Sequence, residues 1–250
     1  MMPESDSPVE TCCPIVELRQ YTLRPGKRDA LIDLFDREFV ETQETVGMKI
    51  IGQFRDHDNP DRFVWVRGFS DMRARAQALQ GFYGGPVWKA HREAANATMI
   101  DSDNVLLLRS ARTATGFSLT DNVRPPPGSS DVPNRLVIAT IYYFDGPVPA
   151  DFVEFFENTI KPEMAAAGGT VLAYFVPEPG ENTFPALPVR ENENVFVWFA
   201  RFSDLAAYDL YLAALERSER WREKIIKELT RRIKGPPELL KLSPTARSLL

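Results

Sequence analysis

From Val16 to Tyr21 apolar and polar positions alternate, Val16 and Leu18 against Glu17 and Arg19, in a stretch rich in strand formers. Period-two alternation predicts a strand. After Pro25-Gly26 the period changes. Leu31, Leu34, Phe35 and Phe39 recur at i, i+3, i+4 and i+8, the apolar stripe of a helix, and Gly47 supplies its stop. Lys49 to Phe54 and Arg62 to Phe69 read as two strands joined by the polar turn Arg55 to Asp61. Ser70 is placed to cap the next helix, with Asp71 favourable in its first turn. That helical region runs from Asp71 to His91, interrupted by Gly81, Gly84, Gly85 and Pro86, and Val105 to Arg109 closes the unit as a strand.

The whole pattern then recurs. The four tryptophans form two pairs, Trp65 with Trp88 and Trp198 with Trp221, each 23 residues apart and related by an offset of 133. Phe63-Val64-Trp65 and Phe69-Ser70-Asp71 reappear as Phe196-Val197-Trp198 and Phe202-Ser203-Asp204. Upstream the offset drops to 121 or 122, placing Leu31, Leu34, Phe35 and Phe39 on Phe152, Phe155, Phe156 and Ile160, and Tyr21 on Tyr143. The 11 or 12 extra residues fall between Val176 and Val195, where Pro177-Glu178-Pro179-Gly180 through Pro188 predicts a long loop. Val105 to Leu108 lands on Glu238 to Lys241, so Glu238 to Leu242 is predicted to be the last strand. A repeat of this length means two folding units. The expected division is a flexible tail over residues 1–14, a first repeat over 15–110, a linker over 111–134 with its proline run at 125–127, a second repeat over 135–243 and a tail over 244–250.

A βαββαβ order is the ferredoxin-like arrangement, an antiparallel sheet with both helices on one face. The other face carries too many large apolar groups for water, and the simplest cover is the sheet of the other repeat. The expected fold is therefore α+β, two ferredoxin-like repeats whose antiparallel sheets pack face to face as an α+β barrel within one chain. Such a chain needs no partner to complete the barrel, which leaves homo-oligomers open.

The stretch Glu17-Leu18-Arg19-Gln20-Tyr21-Thr22-Leu23-Arg24-Pro25-Gly26-Lys27, with Phe63 to Asp71 and Trp88, resembles the NIPSNAP family. The second repeat lacks the Glu-Leu-Arg text and the Pro-Gly-Lys turn, so there the resemblance is looser. Membership of that family implies the dimeric α+β barrel superfamily. It implies no particular chemistry, because the superfamily's members carry many unrelated activities, among them those of cofactor-free oxygenases, isomerases and haem-binding barrels.

Composition narrows the partners. A net charge of −5 disfavours nucleic acid and anionic membrane surfaces, which require a basic face. No window approaches a membrane-spanning length, and residues 1–14 lack the apolar core of a secretory signal, so the cytoplasm is the expected location. The only cysteines, Cys12 and Cys13, are neighbours without a third ligand and are expected in an inert, mobile tail.

Candidate chemistry concentrates in the first repeat. Strand alternation puts Glu17, Arg19 and Tyr21 on one face, and this face is expected to point into the barrel with Trp65 and Arg67 beside it. The matching positions in the second repeat are Ala139, Ile141, Tyr143, Trp198 and Ala200, so one half of the cavity is expected to be polar and the other aromatic and apolar. That predicts a small-molecule site. Glu17, Arg19 and Tyr21 are the candidate catalytic groups. Trp65, Arg67, Tyr143 and Trp198 are the candidate substrate contacts, with Arg19 as the key polar group. The simpler reading makes Glu17–Arg19 a buried pair that fixes register and the tryptophans plain core. His57 and His91 lack metal-ligand spacing and are expected on the surface, so neither a metal nor a cofactor is expected and a haem would find no axial ligand. Gly81 to Pro86 is not a phosphate loop. The leading reading is an apolar or aromatic organic acid bound or transformed in the barrel cavity, its carboxylate on Arg19 or Arg67 and a proton moved by Glu17 or Tyr21. The alternative is a non-enzymatic interaction or scaffold protein with a filled barrel core.

Overall fold

The computed structural model describes residues 11–120 and 122–250. Eight strands form one closed antiparallel barrel: β1 (Ile15–Leu23), β2 (Lys49–Asp56), β3 (Arg62–Phe69), β4 (Met99–Ser110), β5 (Leu136–Tyr143), β6 (Thr170–Pro177), β7 (Val195–Phe202) and β8 (Glu238–Pro244). Within each repeat the first strand pairs with the third and the fourth, as the ferredoxin-like order requires. Short ladders between β2 and β8 and between β4 and β6 join the two sheets edge to edge. Closure leaves no open strand edge, which removes a template for unwanted pairing.

The helices lie outside. In the first repeat α1 (Arg28–Leu34) runs through a π turn (Phe35–Phe39) into α2 (Val40–Thr45). The second repeat matches it, with α5 (Ala150–Phe155), a π turn (Phe156–Ile160) and α6 (Lys161–Ala166). The other helical pairs are α3 (Met72–Gly84) with α4 (Pro86–Asn96), and α7 (Leu205–Arg217) followed by a π turn and α8 (Ile226–Arg232). Asp71, rather than the expected Ser70, caps α3 by accepting from the Ala74 amide at 2.7 Å, and Asp204 does the same for α7. The extended backbone at Asp71 and Asp204 puts each carboxylate in reach of the exposed amides of the first turn. No helix among the described residues is long and apolar enough to cross a membrane.

The barrel interior is filled. Val16, Leu18, Val64, Val66, Leu106 and Leu108 from the first repeat meet Val137, Ala139, Ile141, Val197 and Phe199 from the second in one buried cluster. Segments expected to be loose join it. Phe117, in the linker, is 1% exposed and lies 5.0 Å from Phe199 and 5.2 Å from Phe175 between ring centres. Residues 244–250 are docked rather than free, with Leu250 in the interior cluster and Arg247 held by the Asp36 and Pro125 carbonyls and by Glu41. The expected mobile tail is corrected at Cys12 and Cys13: the Cys12 amide donates to the Phe117 carbonyl at 2.9 Å, and Cys13 is buried. The remainder of that expectation, residues 1–10, lies outside the described residues.

Cys13 packs where a side chain on Gly68 would stand, so a Cβ there would collide with its Cβ and Sγ. Its hydrogen bond with Cys12, together with burial, pushes the Cys13 thiol up from its usual value. Native protein is therefore expected to expose Cys12 to a thiol reagent and to protect Cys13. Gly68→Ala should cost about 1–3 kcal/mol and make Cys13 reactive, because overpacking expels the smaller group. A titration in which both thiols of the unmutated protein react at once would contradict this packing.

Candidate functional site

Glu17, Arg19, Tyr21, Trp65 and Arg67 do come together, but on the opposite side of the sheet from the one expected. Ile15, Tyr21, Leu23, Phe63, Trp65 and Phe69 pack against the helices of the first repeat, and the intervening Val16, Leu18, Val64 and Val66 face the barrel interior. The interior, closed by strands on every side, takes aliphatic and phenylalanine side chains without charge. The sheet–helix layer takes the long polar ones. Strand pairing also corrects the match to the second repeat. Arg19 pairs with Trp65 and Thr140 with Trp198, so Glu17, Arg19 and Tyr21 correspond to Ile138, Thr140 and Tyr142. The matches to Ala139, Ile141 and Tyr143 were one residue out, and in a strand a one-residue slip exchanges the faces.

The two candidates from the second repeat lie elsewhere. Trp198 sits under its own helices beside Tyr142 and Phe156, the place equivalent to that of Trp65. Tyr143 stands at the end of the barrel where β1 and β5 finish. Its hydroxyl donates to Glu238 Oε2 at 2.7 Å and accepts from Arg190, while Gln20 donates to the other Glu238 oxygen at 3.0 Å.

At the centre of the site Glu17 is wholly buried and holds three guanidiniums. Its Oε2 accepts from Arg19 Nη1 at 2.6 Å and from Arg67 Nε at 2.8 Å, and its Oε1 accepts from Arg75 Nε at 2.7 Å. Arg67 Nη2 also stands 2.7 Å from Oε2, as an ion contact without hydrogen-bond alignment. Arg75 was not anticipated, although its signal is present: it precedes Ala78, Leu79 and Phe82 on the buried face of α3 at helical spacing. Arg19, expected to be the key group, commits Nη1 to Glu17 and Nε to the Tyr21 hydroxyl at 3.1 Å. Arg67 and Arg75 each keep one terminal nitrogen, Nη2, buried without a hydrogen bond. Arg67 Nη1 makes three longer contacts, 3.2 Å to Gln43 Oε1, 3.5 Å to the Tyr83 hydroxyl and 3.7 Å to Met48 Sδ, and Trp65 Nε1 is buried without a partner.

The electrostatics follow from the count of one carboxylate against three guanidiniums. Burial alone would raise the Glu17 pKa, but Arg67, Arg19 and Arg75 more than reverse this and hold the carboxyl well below the usual range. Burial pushes the Tyr21 hydroxyl up, with Arg19 opposing in part. Burial lowers the Arg75 pKa against the pull of Glu17. A carboxylate that already accepts three charged donors is a poor proton acceptor, so Glu17 serves to hold cations in place. The cluster carries a formal excess of two positive charges.

Beside the cations lies an aromatic cavity of about 30 Å³, walled by Tyr21, Phe35, Phe39, Trp65, Tyr83 and Trp88 among others. Gln43 and Tyr83 belong both to its wall and to the surroundings of Arg67. The guanidinium carbon of Arg67 stands 5.0 Å from the Trp65 ring centre and that of Arg19 5.5 Å. His91 lies 3.5 Å from Glu38 and edge-on to Phe39, and His57 contacts Ser243 beside the β2–β8 ladder.

The long loop of the second repeat closes this site. Residues 178–194 cross to the first repeat, where Asn182 Oδ1 and Thr183 Oγ1 accept from Arg75 Nη1 at 3.0 and 3.1 Å. Phe184 stacks on Tyr83 with ring centres 5.9 Å apart and planes 28° apart. Between the base of this strap and β4 opens a cleft of about 530 Å³, lined by Leu107, Arg109, Glu178, Asn182, Arg190 and Asn194 among others.

Residues 16–114 match the NIPSNAP family. No curated protein matches the chain. Among solved structures, a candidate monooxygenase from Fusobacterium nucleatum subsp. nucleatum is 12% identical, with a TM-score of 0.59 over 94% of this chain and 93% of its own. A candidate monooxygenase from Lactobacillus acidophilus NCFM is 14% identical, with a TM-score of 0.55 over 94% of both chains. An anthrone oxidase-like protein is 13% identical, with a TM-score of 0.54 over 94% of both. At these identities the likeness is one of fold, and it extends over both repeats.

Proposed function

We propose that this chain, whose residues 16–114 match the NIPSNAP family, binds a small organic acid between the sheet and helices of its first repeat. The acid group lies toward Arg67 and Arg75 and an aromatic or apolar body lies among Trp65, Tyr83 and Trp88. One observation carries the reading: three buried guanidiniums share one carboxylate, and only in the first repeat. The second repeat has Ile138, Thr140 and Ala200 at the positions equivalent to Glu17, Arg19 and Arg67, and builds the same fold without a charge. Fold stability therefore does not require the cluster. A buried excess of positive charge is costly, and a carboxylate ligand offsets part of that cost while using guanidinium donors two at a time. With its interior filled, the barrel itself serves as scaffold. The charge cluster is what a purely scaffolding role leaves without explanation.

The test is a pair of near-isosteric probes, phenylacetate and the uncharged phenylacetamide, in which an NH2 donor replaces one carboxylate oxygen, followed by calorimetry and thermal melting. The acid should raise the melting temperature with the logarithm of its concentration above Kd, a stabilisation of roughly 2.7 kcal/mol at a hundred times Kd, and the amide should leave it unchanged. Arg75→Gln should abolish the difference. Equal response to acid and amide, or response to neither, overturns the proposal and leaves the scaffold reading.

A further inference from the structure

The aromatic cavity, with room for one or two waters, is too small for any aromatic acid. Something must leave before a ligand enters, and the strap is the segment placed to do so. We propose, building on the acid-binding reading, that its tip, Asn182-Thr183-Phe184, is an internal stand-in for the ligand, and that the ligand is an aromatic carboxylate that displaces it. Asn182 and Thr183 present two neutral oxygens to one guanidinium nitrogen, in the manner of a carboxylate but without its charge. Phe184 lays a ring on Tyr83 three residues' reach or less from those oxygens. Oxygen pair and ring together have the outline of an aryl acid.

Three further features fit displacement. Arg75 Nη2 is buried and idle beside the occupied Nη1, so an incoming carboxylate gains a two-pronged contact that the tip does not make. The ferredoxin-like order also needs no strap at this place, since the matching β2–β3 connection in the first repeat is only His57 to Asp61. Finally, the cleft along the strap's base borders Asn182 and gives the tip somewhere to go. The tip is braced as a unit: Asn182 Nδ2 donates to the Leu187 carbonyl at 2.9 Å, and the Phe184 amide donates back to Asn182 Oδ1 at 3.1 Å. It therefore swings out as one piece, hinged beyond this brace.

The experiment uses the full chain with Asn182→Ala, Thr183→Ala and Phe184→Ala combined, and measures phenylacetate and phenylacetamide binding by calorimetry and stopped-flow tryptophan fluorescence. An internal competitor reduces apparent affinity by the fraction of molecules it leaves open, so the variant should bind phenylacetate about tenfold tighter, mainly through faster association. Phenylacetamide should gain nothing. Hydrogen exchange on the unmutated protein supplies a second reading that needs no variant: saturating phenylacetate should deprotect amides around residues 182–187 and leave the barrel strands unchanged. If the unmutated protein binds the acid but the variant binds it equally or more weakly, or if exchange at the tip slows, the strap is a lid that closes over ligand and the stand-in proposal fails while acid binding stands. If neither protein binds the acid, both proposals fall together.

Discussion

Glu17→Gln is expected to cost about 3–5 kcal/mol of folding free energy, because it leaves three buried guanidiniums without their common counter-charge. In a chain of this size the melting temperature should fall by about 10 °C. Adding Arg19→Met to Glu17→Gln should recover part of the loss, since it removes one of the stranded cations, and the double-variant comparison isolates that coupling. The unmutated protein should also lose stability in acid. The folded-state pKa of Glu17 is depressed, so its contribution is fully present above the ordinary value of 4.5 and drains away as pH falls below it toward the folded value. The glutamine variant should lack this part of the acid limb. A loss under about 1 kcal/mol in denaturant titration would mean that water reaches the cluster, and the picture of a dry cation site would have to be abandoned.

Phe117→Ala is expected to be comparably damaging, about 3–5 kcal/mol, although Phe117 lies in the segment that joins the repeats. Its ring fills the barrel core between Phe175 and Phe199, and removing it leaves a cavity whose walls belong to closed strands with little freedom to collapse. Val123, six residues on and 90% exposed, provides the internal control: Val123→Ala should stay within about 0.5 kcal/mol of the unmutated protein. Equal midpoints for the two variants in urea would show that the linker is not part of the core.

The architecture was legible because repetition is a strong signal. Paired tryptophans, paired Phe-Ser-Asp helix starts and a shared strand order led to two facing sheets and to β8 near residue 238. The site was legible as a set but not as a place. Alternation sorts Glu17, Arg19 and Tyr21 from Val16, Leu18 and Gln20, yet it says nothing about which set faces the helices when both are buried. The offset of 121 fitted at the first helix, carried unchanged into β1, would have matched Arg19 to Thr140 and signalled the true face. Arg75 was hidden because an arginine in a helix with a mixed surface reads as solvated. The reach of Asn182 to Arg75 was beyond any local pattern, since 107 residues separate them and nothing nearby in the sequence says where a long loop lands. Phe117 and Leu250 were misread for a similar reason: one apolar residue, or a terminal pair, in a polar stretch has no period to betray it.

The crossing of the strap from one repeat to the other is something two identical subunits could not do once. A two-fold dimer repeats every substitution, so a loop that covers its neighbour's pocket must cover both pockets, and a charge introduced into one half appears in the other. Joining the halves in a single chain lifts that obligation. Here one half is free to be a plain apolar module that contributes a closing arm, and the other to hold a cation cluster too costly to build twice. For the acid site proposed above, the expected stoichiometry is one ligand per barrel, and a titration that counts two would contradict it.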